Sequence, residues 1–305
     1  MAVSARAKVL VTADELREQV AGPHPPVLLD VRWRLGEPAG SGQARYAAGH
    51  LPGARWVDLE TVLTRHTGDP RDGRHPLPDA ATLTAGLAAA GVTADGRPVV
   101  VYDEGGSFAA ARAWWVLGWA GLTVRVLDGG IDAWVAAGGE LVTDAAEHDI
   151  PGPAPASSAA AGSTIEPTMQ PLIEPGRRPT ATADEAAATP ERGVLVDVRA
   201  PERFRGETEP LDPVAGHIPG AINVPVAGLF TSTGALPDET TLRERLAPAL
   251  AAAAAGRPVV AYCGSGVSAA QAVLALASLG VTAALYPGSW SAWSNDPFRP
   301  VARGG

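Results

Sequence analysis

The chain repeats itself, and this limits its fold more than any other feature of the sequence. Val27-Leu28-Leu29-Asp30-Val31-Arg32 recurs as Val194-Leu195-Val196-Asp197-Val198-Arg199, and Ala48-Gly49-His50-Leu51-Pro52-Gly53-Ala54 recurs as Ala215-Gly216-His217-Ile218-Pro219-Gly220-Ala221, both 167 residues later. Arg97 to Asp103 matches Arg257 to Cys263 at an offset of 160, and Gly129 to Trp134 matches Gly288 to Trp293 at 159. Each copy alternates short apolar strands with helical segments. That pattern predicts an α/β fold of two tandem units, each a mainly parallel sheet flanked by helices. A chain of 305 residues is long enough for two domains, expected here at 8–142 and 179–302. The stretch 143–178, rich in Pro, Ala, Ser and Gly, is the expected linker.

What differs between the copies points to function. Cys263, the only cysteine, stands between the apolar run ending at Tyr262 and a helical pattern that opens at Ser268 and closes at Gly280. The turn Cys263-Gly264-Ser265-Gly266-Val267-Ser268 therefore lies at the carboxyl end of a strand, where α/β sheets bind ligands. Gly264 and Gly266 allow the backbone to curl its amides around the thiol, together with those of Val267 and Ser268. Such a nest suits an anionic sulfur and an anion arriving at it. The first copy has Asp103 at this position, so it cannot perform thiol chemistry and is expected to be catalytically silent.

A net charge of -9 without an evident basic patch argues against a nucleic-acid partner. The sequence contains no apolar run long enough for a membrane span and no secretory leader pattern. A single cysteine excludes internal disulfides and fits a reducing cytoplasm. The Ala-, Gly-, Pro- and Arg-rich, Lys-poor composition resembles that of GC-rich bacteria. No phosphate loop, nucleotide motif or metal cluster stands out, and no cofactor is expected.

His50 and His217 sit in identical turns, so both are read as turn-stabilising, and Arg32 and Arg199 likewise. Arg203 and Arg205 are private to the second copy, aligned with Gly36 and Pro38. A guanidinium forks onto carboxylate or sulfonate oxygens, which makes them candidates for holding an anionic substrate. The first copy has seven extra residues within Thr64 to Pro76, a charged loop containing His66 and His75. That loop either reaches across the interdomain cleft toward Cys263 or is a surface insertion.

The paired Asp-x-Arg and Gly-His-x-Pro-Gly-Ala motifs, with Cys263-Gly264-Ser265-Gly266-Val267-Ser268-Ala269, resemble the tandem rhodanese family over about Lys8 to Val301. Within it the loop is similar to that of the 3-mercaptopyruvate sulfurtransferases, whereas the thiosulfate-preferring branch has Arg and Lys after the cysteine. The resemblance implies an enzyme that takes sulfur from 3-mercaptopyruvate, or from thiosulfate, as a Cys263 persulfide and passes it to a thiol, to cyanide or to a thioredoxin-like acceptor. It also implies a relay of Ser265 with His75 and Glu60 or Asp58, and a carboxylate-binding role for Arg203. The family's second arginine is Leu211 here, which leaves Arg205 to complete anion recognition. A non-catalytic sulfur carrier would have almost the same sequence. A phosphatase of the Cys-x5-Arg type would need an arginine where this chain has Ala269.

Overall fold

The computed structural model describes residues 3–106, 108–143 and 173–305, so most of the expected linker, 144–172, lies outside the described residues. In the first half β1 (Leu10–Val11), β2 (Val27–Asp30), β3 (Arg55–Trp56), β4 (Val99–Tyr102) and β5 (Val124–Leu127) form a parallel sheet in the order β1-β5-β4-β2-β3. In the second half β6 (Val194–Asp197), β7 (Ile222–Asn223), β8 (Val259–Tyr262) and β9 (Ala284–Leu285) form another, in the order β7-β6-β8-β9. Thr180 bridges Leu285 at the edge that β1 occupies in the first sheet, so the fifth strand is reduced there to one pair. The central strands β4 and β8 are buried at every residue, which is why their sequences are apolar runs rather than alternating ones.

Helices α1 (Ala5–Val9), α2 (Ala13–Ala21), α3 (Ser41–Ala48), α4 (Ala80–Ala89), α5 (Phe108–Trp119) and α6 (Gly130–Ala136) belong to the first half. The second contributes α7 (Ala183–Arg192), α8 (Pro201–Phe204), α9 (Glu239–Arg245), α10 (Ala247–Ala254), α11 (Ser268–Ser278) and α12 (Ser289–Ser294). Corresponding helices begin alike: the Thr12 and Thr182 hydroxyls accept the N–H of Glu15 and Glu185, and Glu185 returns the bond to Thr182 N–H.

Helices α5 and α11 are apolar on nearly all sides because they are buried against each other between the sheets. One apolar cluster runs from Val101 through Trp115 and Leu274 to Ala261 and Cys263. Two smaller clusters close the outer faces, one around Tyr102 and Trp134 and one around Tyr262 and Trp293. The cysteine is thus embedded where the two halves share a core.

The repeated motifs hold the repeated turns. Arg32 forks onto Asp30 and reaches the Gly49 carbonyl at 2.7 Å, and Arg199 forks onto Asp197 and reaches Gly216 at 2.6 Å. His50 stacks on Tyr46 and bonds its carbonyl, while His217 does the same with Phe204. Tyr102 and Tyr262 hydroxyls accept the N–H of Leu51 and Ile218, each at 3.1 Å. These groups are occupied in building the frame.

Candidate active site

Strand β8 runs into Cys263, which is 2% exposed. The carbonyls of Cys263 and Gly264 accept the N–H of Trp290 and Ser291 in α12, at 2.9 and 2.8 Å. With its carbonyls drawn toward α12, the loop turns the Gly266 N–H toward the thiol, 3.1 Å from Sγ. Gly266 has φ +82°, and a Cβ there would come 2.5 Å from the Pro287 carbonyl, so the position requires glycine. Val267 is buried in the shared core, and Ser268 opens α11.

Below the loop, Ser289 is the one described non-glycine residue with positive φ, at +52°. Its fully buried hydroxyl accepts Cys263 N–H at 3.2 Å and donates to the Tyr286 carbonyl at 2.9 Å. The equivalent residue of the first copy is Gly130, φ +59°. The second copy therefore tolerates a strained serine in order to anchor the cysteine.

The loop inserted in the first half reaches this place. His75, buried, has Nδ1 2.7 Å from Ser265 Oγ and Nε2 3.2 Å from Glu60 Oε1, and Trp33 Nε1 donates to the same carboxylate oxygen at 2.9 Å. Burial lowers the His75 pKa against the opposing pull of Glu60, and the bond to His75 holds Glu60 below the ordinary carboxylate range. Since a carboxylate can only accept, Nε2 carries the proton, Nδ1 is bare and Ser265 donates to it. Asp58 is not part of this chain: its carboxylate accepts Glu60 N–H at 2.7 Å and shapes the turn that presents Glu60. His66 is mostly exposed and bonds the Glu60 carbonyl.

Arg203 lies beside the loop, whereas Arg205 does not complete the anion site as expected. Arg205 pairs with Glu207 at 2.7 Å on the solvent side, because it sits two residues along a short helical turn from Arg203. The second guanidinium at the loop is Arg74, from the first half. A Cβ built on Gly264 would meet Arg74 Nη2 at 2.9 Å and the two terminal nitrogens of Arg203 at 3.6 and 3.7 Å. Asp212 joins the two arginines, Oδ1 to Arg74 and Oδ2 to Arg203 at 3.3 Å, and Glu209 takes Arg203 at 2.6 Å. Burial raises the Asp212 pKa although Arg74 opposes it.

A third cation is fully buried. Arg112, on α5, donates to the carbonyls of His75 at 2.8 Å and of Leu63, Pro76 and Gly266 at 3.4 Å, so it ties the histidine loop to the cysteine loop. Desolvation pushes its pKa down to about 10, and the charge that opposes this shift is that of the Cys263 sulfur. Conversely, α11 sends Gln271 back to the Gly106 carbonyl of the first copy's loop. In that loop Asp103 accepts Ala110 N–H at 3.0 Å, and burial pushes its pKa up to about 7. Among the described residues no group of three or more His, Cys, Asp and Glu side chains could hold a metal.

Arg74, Arg112 and Ser289 escape a reading of the sequence alone, although two of them left a signal. Arg112 is a lone charge in an apolar helix, and Ser289 replaces a glycine of the other copy. Arg74 left only its place next to His75.

A nucleophilic sulfur beside a proton-carrying hydroxyl, with cationic groups over the approach, serves the transfer of sulfur between anions, and the chain is a two-domain sulfurtransferase. Rhodanese-like domains match residues 12–137 and 182–296. The chain is 47% identical, over 99% of its own length and 99% of the relative's, to a Mycobacterium tuberculosis protein provisionally named thiosulfate sulfurtransferase SseB. It is 31% identical to the Escherichia coli 3-mercaptopyruvate sulfurtransferase, covering 95% of this chain and 96% of that one. The crystal structure of SseA from E. coli, a 3-mercaptopyruvate sulfotransferase with the rhodanese fold, superposes with a TM-score of 0.71 at 30% identity over 92% of this chain and 98% of that one. The chain belongs to the rhodanese family.

Proposed function

We propose that the chain takes a sulfane sulfur from 3-mercaptopyruvate onto Cys263 and passes it to a thiol or cyanide. The observation that carries this reading is the hydrogen-bonded series Glu60–His75–Ser265 adjoining the cysteine loop. The Cys263 thiolate attacks the donor sulfur, the carbon–sulfur bond breaks, and its electron pair becomes the pyruvate enolate. The proton of the donor thiol passes to Ser265 Oγ as Ser265 gives its own to His75 Nδ1. It returns by the same route to the enolate carbon, leaving pyruvate and a Cys263 persulfide. Glu60 stabilises the transient imidazolium, and the amides of Gly264, Gly266, Val267 and Ser268 stabilise the persulfide anion. An acceptor thiolate then attacks the outer sulfur and Cys263 leaves.

The acceptor class includes a thioredoxin-like thiol protein, and the site of action is the cytoplasm. The catalytic domain is taken as 179–302 and the silent one as 8–142. Among the described residues no helix is long and apolar enough to cross a membrane.

A second donor, thiosulfate, is favoured by the two guanidiniums over Gly264, which give a neutral loop a cationic roof. The test is intact-protein mass after brief exposure of reduced protein to each donor, with Cys263→Ser as control. Gain of one sulfur from 3-mercaptopyruvate, absent in the variant, is expected. Faster loading from thiosulfate would reverse the assignment of the donor.

A further inference from the structure

We propose that Arg112, supplied by the catalytically silent half, is the counter-cation of the Cys263 sulfur: a positioning residue that grips the cysteine loop at Gly266 and holds the sulfur as an anion. This deepens the proposed function and rests on it for the chemistry that the anion performs.

Arg112 is the only charged residue of α5 and is fully buried. Its hydrogen bonds run to the carbonyls of His75, Leu63, Pro76 and Gly266, and among the described residues no carboxylate pairs with it. The other cations at the loop are matched, Arg74 by Asp212 and Arg203 by Glu209 and Asp212. A buried charge without a partner is costly, and a guanidinium does not escape that cost by losing its proton. Among the described residues the anionic group whose charge acts on Arg112 is the Cys263 sulfur. The contact is indirect: the Gly266 carbonyl accepts from Arg112 Nη1 at 3.4 Å, and the N–H of the same glycine lies 3.1 Å from Sγ.

The repeat separates charge from cross-linking. Gly106 holds the place of Gly266 in the first copy's loop, 160 residues earlier, and both have positive φ. Arg112 reaches the Gly266 carbonyl from α5, and Gln271 reaches the Gly106 carbonyl from α11. A neutral amide therefore suffices for the link. The charged link is the one made to the loop that carries the thiol, while the loop of Asp103 receives the neutral one. Without a cation paired to it among the described residues, Asp103 is driven by burial toward its neutral form, with a pKa of about 7.

The charge of Arg112 also disfavours a proton on His75, so the cation selects an anionic sulfur beside a neutral imidazole. The remaining titratable groups around the loop are Glu60 on His75, the paired Arg74, Arg203, Glu209 and Asp212, and Tyr262, whose hydroxyl accepts Ile218 N–H. Helices α11 and α12 carry none.

Cys263 is the only cysteine, so alkylation by iodoacetamide, in which the sulfur displaces iodide, reports on it alone. Arg112→Gln is expected to move the midpoint of the pH–rate profile up by about one unit, which makes alkylation about tenfold slower below both midpoints. Above both midpoints its rate should stay within about twofold of wild type. An unmoved midpoint, or equal slowing at every pH, overturns the proposal, since the latter is what a merely displaced loop would give. Arg112→Lys keeps the charge, and its midpoint should lie nearer to wild type than to Arg112→Gln; a lysine variant shifted as far as the glutamine one also overturns it. If Arg112→Gln does not fold, denaturant titrations of wild type and Cys263→Ser decide. A sulfur held as an anion stabilises the folded chain increasingly between pH 6 and about pH 8.5, where the unfolded thiol ionises, and serine gives no such rise. A difference that stays constant with pH overturns the counter-cation. Alkylation needs no sulfur donor, so a wild type that ignores 3-mercaptopyruvate yet shows the Arg112-dependent shift would remove the donor assignment and leave this role standing.

Discussion

Replacing Ser289 separates strain from anchoring. A non-glycine residue in the left-handed region costs roughly 1–2 kcal/mol. The Ser289 hydroxyl offsets this by serving two buried backbone groups, Cys263 N–H and the Tyr286 carbonyl. Ser289→Ala keeps the strain and orphans both, a loss of about 2 kcal/mol or more, since one buried unsatisfied donor costs about 1–3. Ser289→Gly orphans the same groups but releases the strain, so it should be more stable than the alanine variant by about 1 kcal/mol. At about 2–4 °C per kcal/mol for domains of this size, the glycine variant should melt about 2–4 °C above the alanine one and below wild type. Thermal unfolding followed by tryptophan fluorescence measures this, and sulfur loading of Cys263 measures the anchor. Loading should slow equally in both variants. A glycine variant no more stable than the alanine one would refute the reasoning, because the positive φ would then carry no strain for the hydroxyl to offset.

The depressed pKa of His75 places the acid limb of the rate profile below the ordinary histidine value of about 6.5. Because Glu60 pulls that pKa upward, Glu60→Gln should move the limb to still lower pH while reducing the maximal rate, and an upward move in the pH profile would contradict the relay. His75 is neutral when folded, so its contribution to stability is complete above about pH 6.5 and is lost as the pH falls below it. Asp103 has the opposite sign: with a folded pKa of about 7, it favours the folded state at low pH and loses that contribution as the pH rises from 3.8 through 7. The stability of Asp103→Asn relative to wild type should accordingly grow by about 4 kcal/mol between acid and pH 8, read from denaturant titrations at several pH values. Arg112→Met leaves four carbonyls with one donor fewer and should cost about 3 kcal/mol, together with a loss of sulfur loading. A folded, fully active Arg112→Met would refute the tie between the two loops.

The repeat made both sheets legible, because equal motifs at fixed offsets must build equal turns, and the paired Asp-Arg forks and stacked histidines do so. The cysteine loop was legible for a local reason: strand, glycines and helix are all sequence neighbours. His75 could be named but not placed, since nothing local distinguishes an insertion that crosses a cleft from one that hangs in solvent. Arg74 and Arg205 show where such reading ends. Arg205 looked suitable because it is private to the second copy, yet it caps the end of α8, two residues past Arg203, and pairs with Glu207. Arg74 is close to Gly264 only because the halves pack through α5 and α11, a relation that no spacing within one copy contains. Asp58 and Glu60 could not be told apart by type, and a hydrogen bond from the Glu60 N–H to the Asp58 carboxylate separates them.

Arg112 and Gln271 cross the interface in opposite directions, each helix steadying the loop of the other copy. Judged from its own loop alone, a copy with Asp103 in place of the thiol looks dispensable. Here it holds the histidine bonded to Ser265, the carboxylate bonded to that histidine, and a buried cation that reaches the cysteine loop. On the proposed function, a chain cut to its second half would therefore keep the thiol and lose the groups that contact its loop from the other side.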